Sequence, residues 1–325
     1  MSRGEQSMVP EPEFDSYYGK PILKQPTWKT PDVPLYLFLG GLAGASALLA
    51  EGAALTGRPD LERVARLAAA GGATAGTVAL VHDLGRPSRF LNMLRVFKPT
   101  SPLSVGSYIL APFSAFAGAA AAAQVSGLVP RLGRLAGVGA AAFGPPLATY
   151  TAALVTNTAV PAWHEAHREM PFVFAGSGAQ AAGGLAMVLV GCDQAGPARR
   201  MALAGAVVEI AAAEVILKKG LVSEPYRIGR PGRLMRTARN ATAVASALTC
   251  VAGGRSRVFS ALAGATYLAA SVTTRFGVFE AGLASARDPK YVVVPQRERL
   301  ATRAAESAAG SAAGPAAGPA AGVAR

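Results

Sequence analysis

Charged residues are scarce in this sequence, where lysine, arginine, aspartate and glutamate make up only 16% of the 325 residues. Soluble globular domains carry about 25%. Hydrophobic residues make up 51%, which excludes disorder over most of the chain. Cysteine is nearly absent, since only Cys192 and Cys250 are present. Two cysteines exclude both a disulfide framework and a [4Fe–4S] cluster, which takes four thiolates.

Histidine is equally rare, with His82, His164 and His167 as its three positions. A bis-histidine haem needs facing pairs of histidines, so we do not expect one, even between His82 and His164. Residues 164–167 (HEAH) are one residue short of the zinc-protease motif HExxH, and we interpret them as a solvated loop. No P-loop or dinucleotide-binding motif is present. The sequence therefore predicts no resident metal ion or bound cofactor.

Long apolar segments are what the chain has instead. A membrane-spanning helix needs about 20 mostly apolar residues, and eight segments approach this length, the seventh being the weakest. They predict an all-α integral membrane protein, a bundle of about eight transmembrane helices. The first 33 residues are polar, without a signal peptide, and residues 284–325 form a C-terminal tail that is low in complexity and disordered from about 306. The predicted spans, which together occupy residues 34–283, are 34–56, 65–82, 104–126, 135–157, 171–191, 201–217, 237–254 and 258–283.

The net charge of +13 is interpreted as a topology signal, and no nucleic-acid partner is expected. Eight spans place 22 of the 32 lysine and arginine residues on the side that holds both termini, here called side A, and nine on the opposite side B. Positively charged loops stay in the cytoplasm. The count predicts a multi-pass protein of the plasma membrane with both termini in the cytoplasm.

Two acidic residues lie inside the sixth predicted span. A charge at this depth costs at least about 2.5–3.5 kcal/mol, so Glu209 and Glu214 are candidates for a proton path. Five residues rotate a helix by roughly 500°, so we expect the two carboxylates to face different directions and not to share a pocket. Arg275, in the last span, is the third candidate for the proton path and the expected ion-pair partner of Glu214. A buried structural pair without proton chemistry is the alternative interpretation.

Polar residues also gather at the side A ends of the second to fourth spans. A quinone needs an apolar slot, hydrogen-bond donors for two carbonyl groups and an ionisable group, and this set offers all three. The alternative for the first two members is an ordinary helix C-terminus followed by the stop signals Gly85 and Pro87. The candidate quinone-binding residues are His82, Asp83, Arg86, Tyr108, Tyr150, Asn157 and Trp163.

Residues 83–102 (DLGRPSRFLNMLRVFKPTSP) resemble a loop motif of a known family. The motif, DxGRPxRF…NML…KPxSP, is similar to that of the NrfD family, the membrane subunits of polysulfide reductases. Further similarity lies in residues 17–21 with Trp28, residues 38–44, residues 150–163, Arg275-Phe276 and residues 288–291. The resemblance covers roughly residues 15–300.

This resemblance implies a haem-free, eight-helix subunit that exchanges electrons with menaquinone or ubiquinone and is not catalytic alone. It also implies a ferredoxin-like partner with several [4Fe–4S] clusters and a molybdopterin catalytic subunit, of the formate dehydrogenase or polysulfide reductase type. Arg89, Arg95 and Lys98 are candidate partner-docking residues on side A. Well-known members carry the partner on the outer face, whereas the charge count places side A in the cytoplasm, so we expect a cytoplasmic catalytic module.

Two alternatives remain open. A proton-coupled secondary transporter would use Glu209 and Glu214 as coupling sites. Transporters often have broken helices at corresponding positions of two repeats. Residues 144–146 (GPP) are expected to break the fourth span, but no matching break follows in the second half. A purely structural membrane anchor is the other alternative.

Overall fold

The structure, a computed structural model, describes residues 22–86 and 88–312; the side chains of Arg89, Leu91 and residues 308–312 are outside the description. This part of the chain is all-helical, without a β-strand. A 3₁₀ helix, Gly220–Tyr226, lies between α8 and α9. The α-helices are α1 (Asp32–Leu55), α2 (Pro59–Asp83), α3 (Arg89–Met93), α4 (Pro102–Ser126), α5 (Pro130–Thr156), α6 (Pro161–Glu165), α7 (Met170–Leu189), α8 (Gly196–Leu217), α9 (Gly229–Val251), α10 (Arg257–Arg287) and α11 (Lys290–Ala312).

Five helices are long and apolar enough to cross a membrane by length and composition, namely α1, α2, α4, α5 and α7. Each of the eight predicted spans coincides with one long helix, but α8, α9 and α10 are not apolar enough to count among the five. In α9, for example, four arginines occupy the first eleven residues. The structure thus establishes a helical protein with five candidate spans, and the count of eight stays a prediction.

The long helices form two groups of four that meet along α1. Helices α1, α2, α4 and α5 form the first bundle, and α7, α8, α9 and α10 form the second. Helix α1 also packs on α7 and α10, which makes it the most central helix. Outward-facing side chains of the first bundle are apolar, which suits contact with lipid. Strongly exposed examples are Val78, Val125, Leu132, Leu135 and Val138.

Glycines set the closest helix contacts, as the abundance of small residues predicts. Gly44 of α1 and Gly144 of α5 face each other so closely that a Cβ on either residue would overlap the other's carbonyl oxygen. Gly176 of α7 and Gly205 of α8 make the same kind of contact in the second bundle. Gly184 of α7 and Gly264 of α10 form a further such contact in the second bundle, so both bundles depend on backbone-to-backbone contacts that only glycine permits.

The expected break at residues 144–146 does not occur, because α5 runs without interruption through Pro145 and Pro146. A proline inside a helix removes one backbone donor and usually kinks or ends the helix. Here the Thr149 hydroxyl donates to the carbonyl oxygen of Pro145 at 2.8 Å. The close contact of Gly144 with α1 holds the segment in place from the outside.

The C-terminal region contains more structure than the sequence predicted. Helix α10 extends to Arg287, and α11 continues to Ala312, inside the segment expected to be disordered from about 306. Alanine has the highest helix propensity of all residues, and the alanine-rich sequence up to residue 312 contains only one glycine after residue 290 before its end. Residues 313–325 lie outside the described residues.

Candidate functional site

The side A end of α2 carries an exposed histidine in contact with a carboxylate. The Nδ1 atom of His82 lies 2.7 Å from Oδ2 of Asp32, at the start of α1. The His82 side chain is 73% exposed, whereas that of Asp32 is 15% exposed. Asp83 accepts a 2.9 Å hydrogen bond from the backbone N–H of Lys29. The segment before α1 therefore contacts the end of α2, while the His82 side chain is exposed to solvent.

The motif-bearing loop between α2 and α4 lies next to this end and is highly exposed. Tyr108 donates to the carbonyl oxygen of Leu94 at 2.9 Å, and its ring meets that of Phe97 edge-on at 5.0 Å. Arg86, Arg95 and Lys98 are exposed. Pro87, the side chain of Arg89 and the motif residues 17–21 lie outside the described residues. The loop thus presents basic side chains on side A, as a docking surface requires.

The other predicted quinone-binding residues lie elsewhere. Tyr150 is buried against Gly106, where a Cβ would collide with its ring. Asn157 is exposed and follows the last residue of α5. Within the described part of the chain, neither residue is hydrogen-bonded to His82, so the structure does not bring the predicted set together at one point.

Trp163 is fully buried, and its indole N–H already has a hydrogen-bond partner within the protein. Its Nε1–H donates to the carbonyl oxygen of Val278 at 2.8 Å. Its ring stacks on Trp28 at 5.6 Å and lies 5.8 Å from Phe279. Tyr226 also donates to the carbonyl oxygen of Ala162, the neighbour of Trp163, at 3.0 Å. Trp163 therefore ties α6 to α10, and the signal for this role is its position after Pro161, at the start of a short helix.

The second bundle encloses a polar cluster around Glu209, which is 6% exposed. One carboxylate oxygen accepts a short hydrogen bond from Gln180 of α7, and the other accepts one from the Thr274 hydroxyl of α10 at 2.6 Å. The Thr242 hydroxyl of α9 donates to Oε1 of Gln180 at 3.0 Å. Four helices thus contribute to one buried site. The sequence prediction found Glu209 but missed Gln180 and Thr242, because uncharged polar residues stand out little in an apolar span.

Arg275 is fully buried beside this cluster. Its Nη2 donates to the carbonyl oxygen of Phe174 at 2.8 Å, and its Cζ lies 3.8 Å from the centre of the Phe174 ring. Its Nε and Nη1 atoms have no hydrogen-bond partner in the described part of the chain. The predicted Arg275–Glu214 ion pair was wrong, because Glu214 pairs with Arg239 of α9 at 2.6 Å. Arg275 follows Thr274 and has Glu209 as its nearby charge.

Glu209 and Glu214 line the same cavity, which contradicts the prediction that they cannot share a pocket. The cavity has a volume of about 240 Å³ and lies between α8, α9 and α10. The rotation argument treated α8 alone, whereas the cavity follows the helix from the buried Glu209 to the half-exposed Glu214. The described residues contain no group of three or more histidine, cysteine, aspartate or glutamate side chains arranged for a metal ion.

A second buried arginine lies in the first bundle, towards side B. Arg66 of α2 contacts Glu62 at 2.8 Å and Glu51 of α1 at 3.4 Å. Its Nη1 also donates to the side-chain oxygen of Gln124 in α4 at 2.9 Å. Arg66 is 7% exposed. Sequence reasoning missed this cluster, because Arg66 stands only two residues inside its predicted span.

In the 288–291 segment, Lys290 and Tyr291 both contact Glu224 at the surface on side A. Lys290 Nζ lies 2.9 Å from Oε2 of Glu224 in the 3₁₀ helix, and the Tyr291 hydroxyl donates to the same oxygen at 3.0 Å. The hydrogen bond from Lys290 lowers the pKa of Glu224, and the same contact raises the pKa of Lys290. The sequence similarity pointed to Lys290 and Tyr291 but not to their partner Glu224.

These features together define a class: a multi-pass helical membrane protein with a basic loop at one end and a buried polar cluster in its second bundle. The family model described as "Polysulphide reductase, NrfD" matches residues 23–217, which is more than half of the chain. The protein belongs to this family. No curated protein matches the sequence at a significant level. The similarity of residues 275–291 lies beyond the matched region and remains a prediction.

Proposed function

We propose that this protein is the membrane-anchoring, quinone-interacting electron-transfer subunit of a multi-subunit oxidoreductase. Family membership makes it a membrane subunit of polysulfide-reductase-like complexes, and the finer proposal concerns quinone. The observation that carries it is the His82–Asp32 contact, next to the family loop motif. An exposed imidazole held by a carboxylate can take up or release the protons that quinone chemistry requires. The quinone, menaquinone or ubiquinone, is a substrate here.

Membership in the family generally brings iron–sulfur and molybdopterin partner subunits. In the proposal, a ferredoxin-like subunit with several [4Fe–4S] clusters docks on side A and connects to the molybdopterin subunit. The exposed Arg95 and Lys98 support this docking, with Arg89 beside them in the sequence. Electrons must pass from cluster to quinone over a short distance, so the docking loop and His82 belong on the same side.

The proposed arrangement has eight membrane-spanning helices, with α8, α9 and α10 added to the five that composition identifies. Their charges are compatible with this, because Glu209 and Arg275 are buried inside the bundle. Charged residues within spans face the protein interior. Lysine and arginine predominate on side A, so we place this side and both termini in the cytoplasm of a plasma-membrane protein.

His82→Ala, made in the intact complex, tests the proposal. Loss of a general acid or base typically costs about a hundredfold or more in rate, so quinone-coupled turnover should fall by about this factor while the subunits still co-purify. Electron transfer from the donor to a soluble dye should persist. His167→Ala is the matched control, since His167 is also exposed on side A but lies away from α2.

Unchanged quinone turnover in His82→Ala would contradict the site. If, in addition, a quinone analogue did not protect His82 from chemical labelling, a purely structural anchor would be the better description. Asp83→Asn distinguishes a structural role of Asp83 from a role in quinone chemistry. Asp83 accepts a hydrogen bond from the backbone N–H of Lys29. We expect Asp83→Asn to weaken assembly of the segment before α1 more than quinone turnover.

A second candidate function is proton transfer through the second bundle, either coupled to quinone or as a proton-coupled transporter. The observation that favours it is a chain of polar groups leading from Glu209 towards side B. Gln180 connects Glu209 to Thr242, whose carbonyl oxygen accepts from Ser246 at 2.8 Å. The Tyr267 hydroxyl then donates to Ser246 at 3.0 Å.

Glu209→Gln tests this second function in sealed vesicles that contain the complex. Proton movement per electron should fall to the background level while quinone turnover continues. Glu214→Gln is the control, because Glu214 is a half-exposed carboxylate paired with Arg239. Equal proton movement in the wild type and Glu209→Gln would remove the second candidate.

A further inference from the structure

The cavity of about 240 Å³ in the second bundle is mostly apolar and runs along α8 from Glu209 to Leu217. It lies between α8, α9 and α10 and extends to the side A end of α8 and the start of α9. Apolar side chains from four helices form most of its wall. Those that shape its length are Val173, Ile210, Ala213, Leu217, Met235 and Val278.

The cavity exists because α8 and α9 are only loosely joined. Helix α8 packs along most of its length on α7, and α9 packs on α10, but α8 and α9 contact each other over a much shorter stretch. Both helices carry exposed apolar side chains, Val207 and Val215 on α8 and Val244 on α9. The seam between α8 and α9 therefore faces a lipid environment, from which a hydrocarbon chain can enter.

Arginines surround the side A end of the cavity. Arg227, Arg236 and Arg239 line it and are exposed. Arg239 is neutralised by Glu214. Neither Arg227 nor Arg236 has a carboxylate partner in the part of the chain that the structure describes; Arg236 donates only to the carbonyl oxygen of Arg227, at 2.6 Å. Two guanidinium groups thus remain available for an anion beside an apolar slot.

The polar side chains that line the inner end of the cavity, Glu209 and Thr274, have no free hydrogen-bond donor to offer. Both oxygens of Glu209 already accept hydrogen bonds, from Gln180 and from Thr274. The Thr274 hydroxyl proton is used in the same contact. A quinone ring, which needs donors for its carbonyl groups, finds none at this depth, whereas a saturated hydrocarbon chain needs none.

We propose that this cavity binds an anionic phospholipid, with one acyl chain between α8, α9 and α10 and the phosphate group at Arg227 and Arg236. Burial of a hydrocarbon chain is favourable in proportion to its area. Guanidinium groups bind phosphate oxygens in a bidentate manner, and basic pockets between membrane helices bind anionic headgroups. The site is separate from the His82 end of the molecule and does not depend on quinone binding there.

The test uses the full-length protein, delipidated in mild detergent and then supplied with dioleoyl phosphatidylglycerol or dioleoyl phosphatidylcholine. Bound lipid is counted by native mass spectrometry, and the thermal unfolding midpoint is recorded. We expect a preference for phosphatidylglycerol, which falls roughly fivefold for each of Arg227→Gln and Arg236→Gln, since one arginine near a lipid surface contributes about 1 kcal/mol. Arg233→Gln, exposed on the same helix but not at the cavity, should keep the wild-type preference.

Ala213→Phe provides a second measurement, because it fills the cavity without changing a charge. It should abolish phosphatidylglycerol binding while the unfolding midpoint of the lipid-free protein stays the same or rises. Equal binding of the two lipids, or an unchanged preference in Arg227→Gln and Arg236→Gln, would overturn the proposal. So would a quinone that co-purifies with the wild type and is lost in Ala213→Phe, because the cavity would then be a quinone site.

Discussion

Each of the two bundles buries one arginine, and the two arginines differ in the partners that surround the guanidinium group. Arg66 of the first bundle contacts two carboxylates and an amide oxygen, and only its Nε lacks a partner. Arg275 of the second bundle has one backbone carbonyl and one aromatic ring, and two of its nitrogens lack partners. A buried charge is costly unless it is paired and hydrogen-bonded.

This difference indicates which half of the molecule is a scaffold. Arg66 has a counter-charge from its own helix and one from α1, so its cluster locks helices together in a single arrangement. Arg275 is held near Glu209, whose own hydrogen bonds come from Gln180 and Thr274, so the two charges are close but not joined. A buried charge that is left partly unsatisfied keeps donors that a water molecule or another polar group can still occupy.

The largest effect should follow from Arg66→Met, which removes a buried cation and leaves the partly buried Glu51 and Glu62 without it. Removing one partner of a buried ion pair costs about 3–5 kcal/mol, and we expect a loss of this size. Chemical unfolding of the full chain in one detergent measures it. Arg63→Met, on the same helix but exposed, is the control. A loss below about 1 kcal/mol would show that the Arg66 cluster does not hold the first bundle together.

Arg275→Met should cost less, about 1.5–3 kcal/mol, the range for a hydrogen bond to a charged group. Its single hydrogen bond to Phe174 is lost, but Glu209 keeps both of its own. The same unfolding measurement applies, with Arg287→Met at the exposed end of α10 as the control. If Arg275→Met proved as destabilising as Arg66→Met, the contrast between the two bundles would be wrong.

The smallest effect is expected for the partly exposed ion pair between Glu224 and Lys290. The pKa of Glu224 is lowered by the hydrogen bond from Lys290. The unfolded chain therefore binds more protons than the folded one, and the contribution is present above the ordinary glutamate pKa of about 4.3 and lost as the pH falls below it. Both groups are about one-third exposed, so solvent screening keeps the effect below about 1 kcal/mol.

Unfolding midpoints between about pH 3 and pH 7, a range that spans the ordinary glutamate pKa, measure this contribution. Glu224→Gln should flatten the acid limb relative to the wild type, while Glu298→Gln, exposed on α11, should not. An identical acid limb in all three proteins would show that the Glu224–Lys290 contact has no effect on stability.

The sequence predicted the parts of this structure that depend on local pattern. The long helices follow from apolar length, and the loop at residues 83–102 follows from a motif that the family match confirms. The contacts between small residues follow from glycine spacing, as Gly44 shows. These features depend on residues that are close together in the sequence, so they can be identified without knowing which helices pack against each other.

The candidate sites were less predictable, because they depend on how helices pack. Glu214 was assigned to Arg275, although Arg239, in the neighbouring helix, lies closer to it. Gln180 and Arg66 each gained their role from partners on two other helices, which no spacing rule gives. Trp163 was expected in a quinone site because of its place at the end of a span, but packing against Trp28 and Phe279 encloses it.

The central position of α1 has a consequence for biosynthesis. This helix leaves the ribosome before α7 and α10, yet part of its surface packs against these two helices, which are made much later. In the interval, the small-residue face around Gly41, which later meets Gly178 and Arg275, lies against lipid or against the insertion machinery. The nascent chain must therefore keep α1 accessible until translation reaches α10, so a late helix completes the environment of an early one.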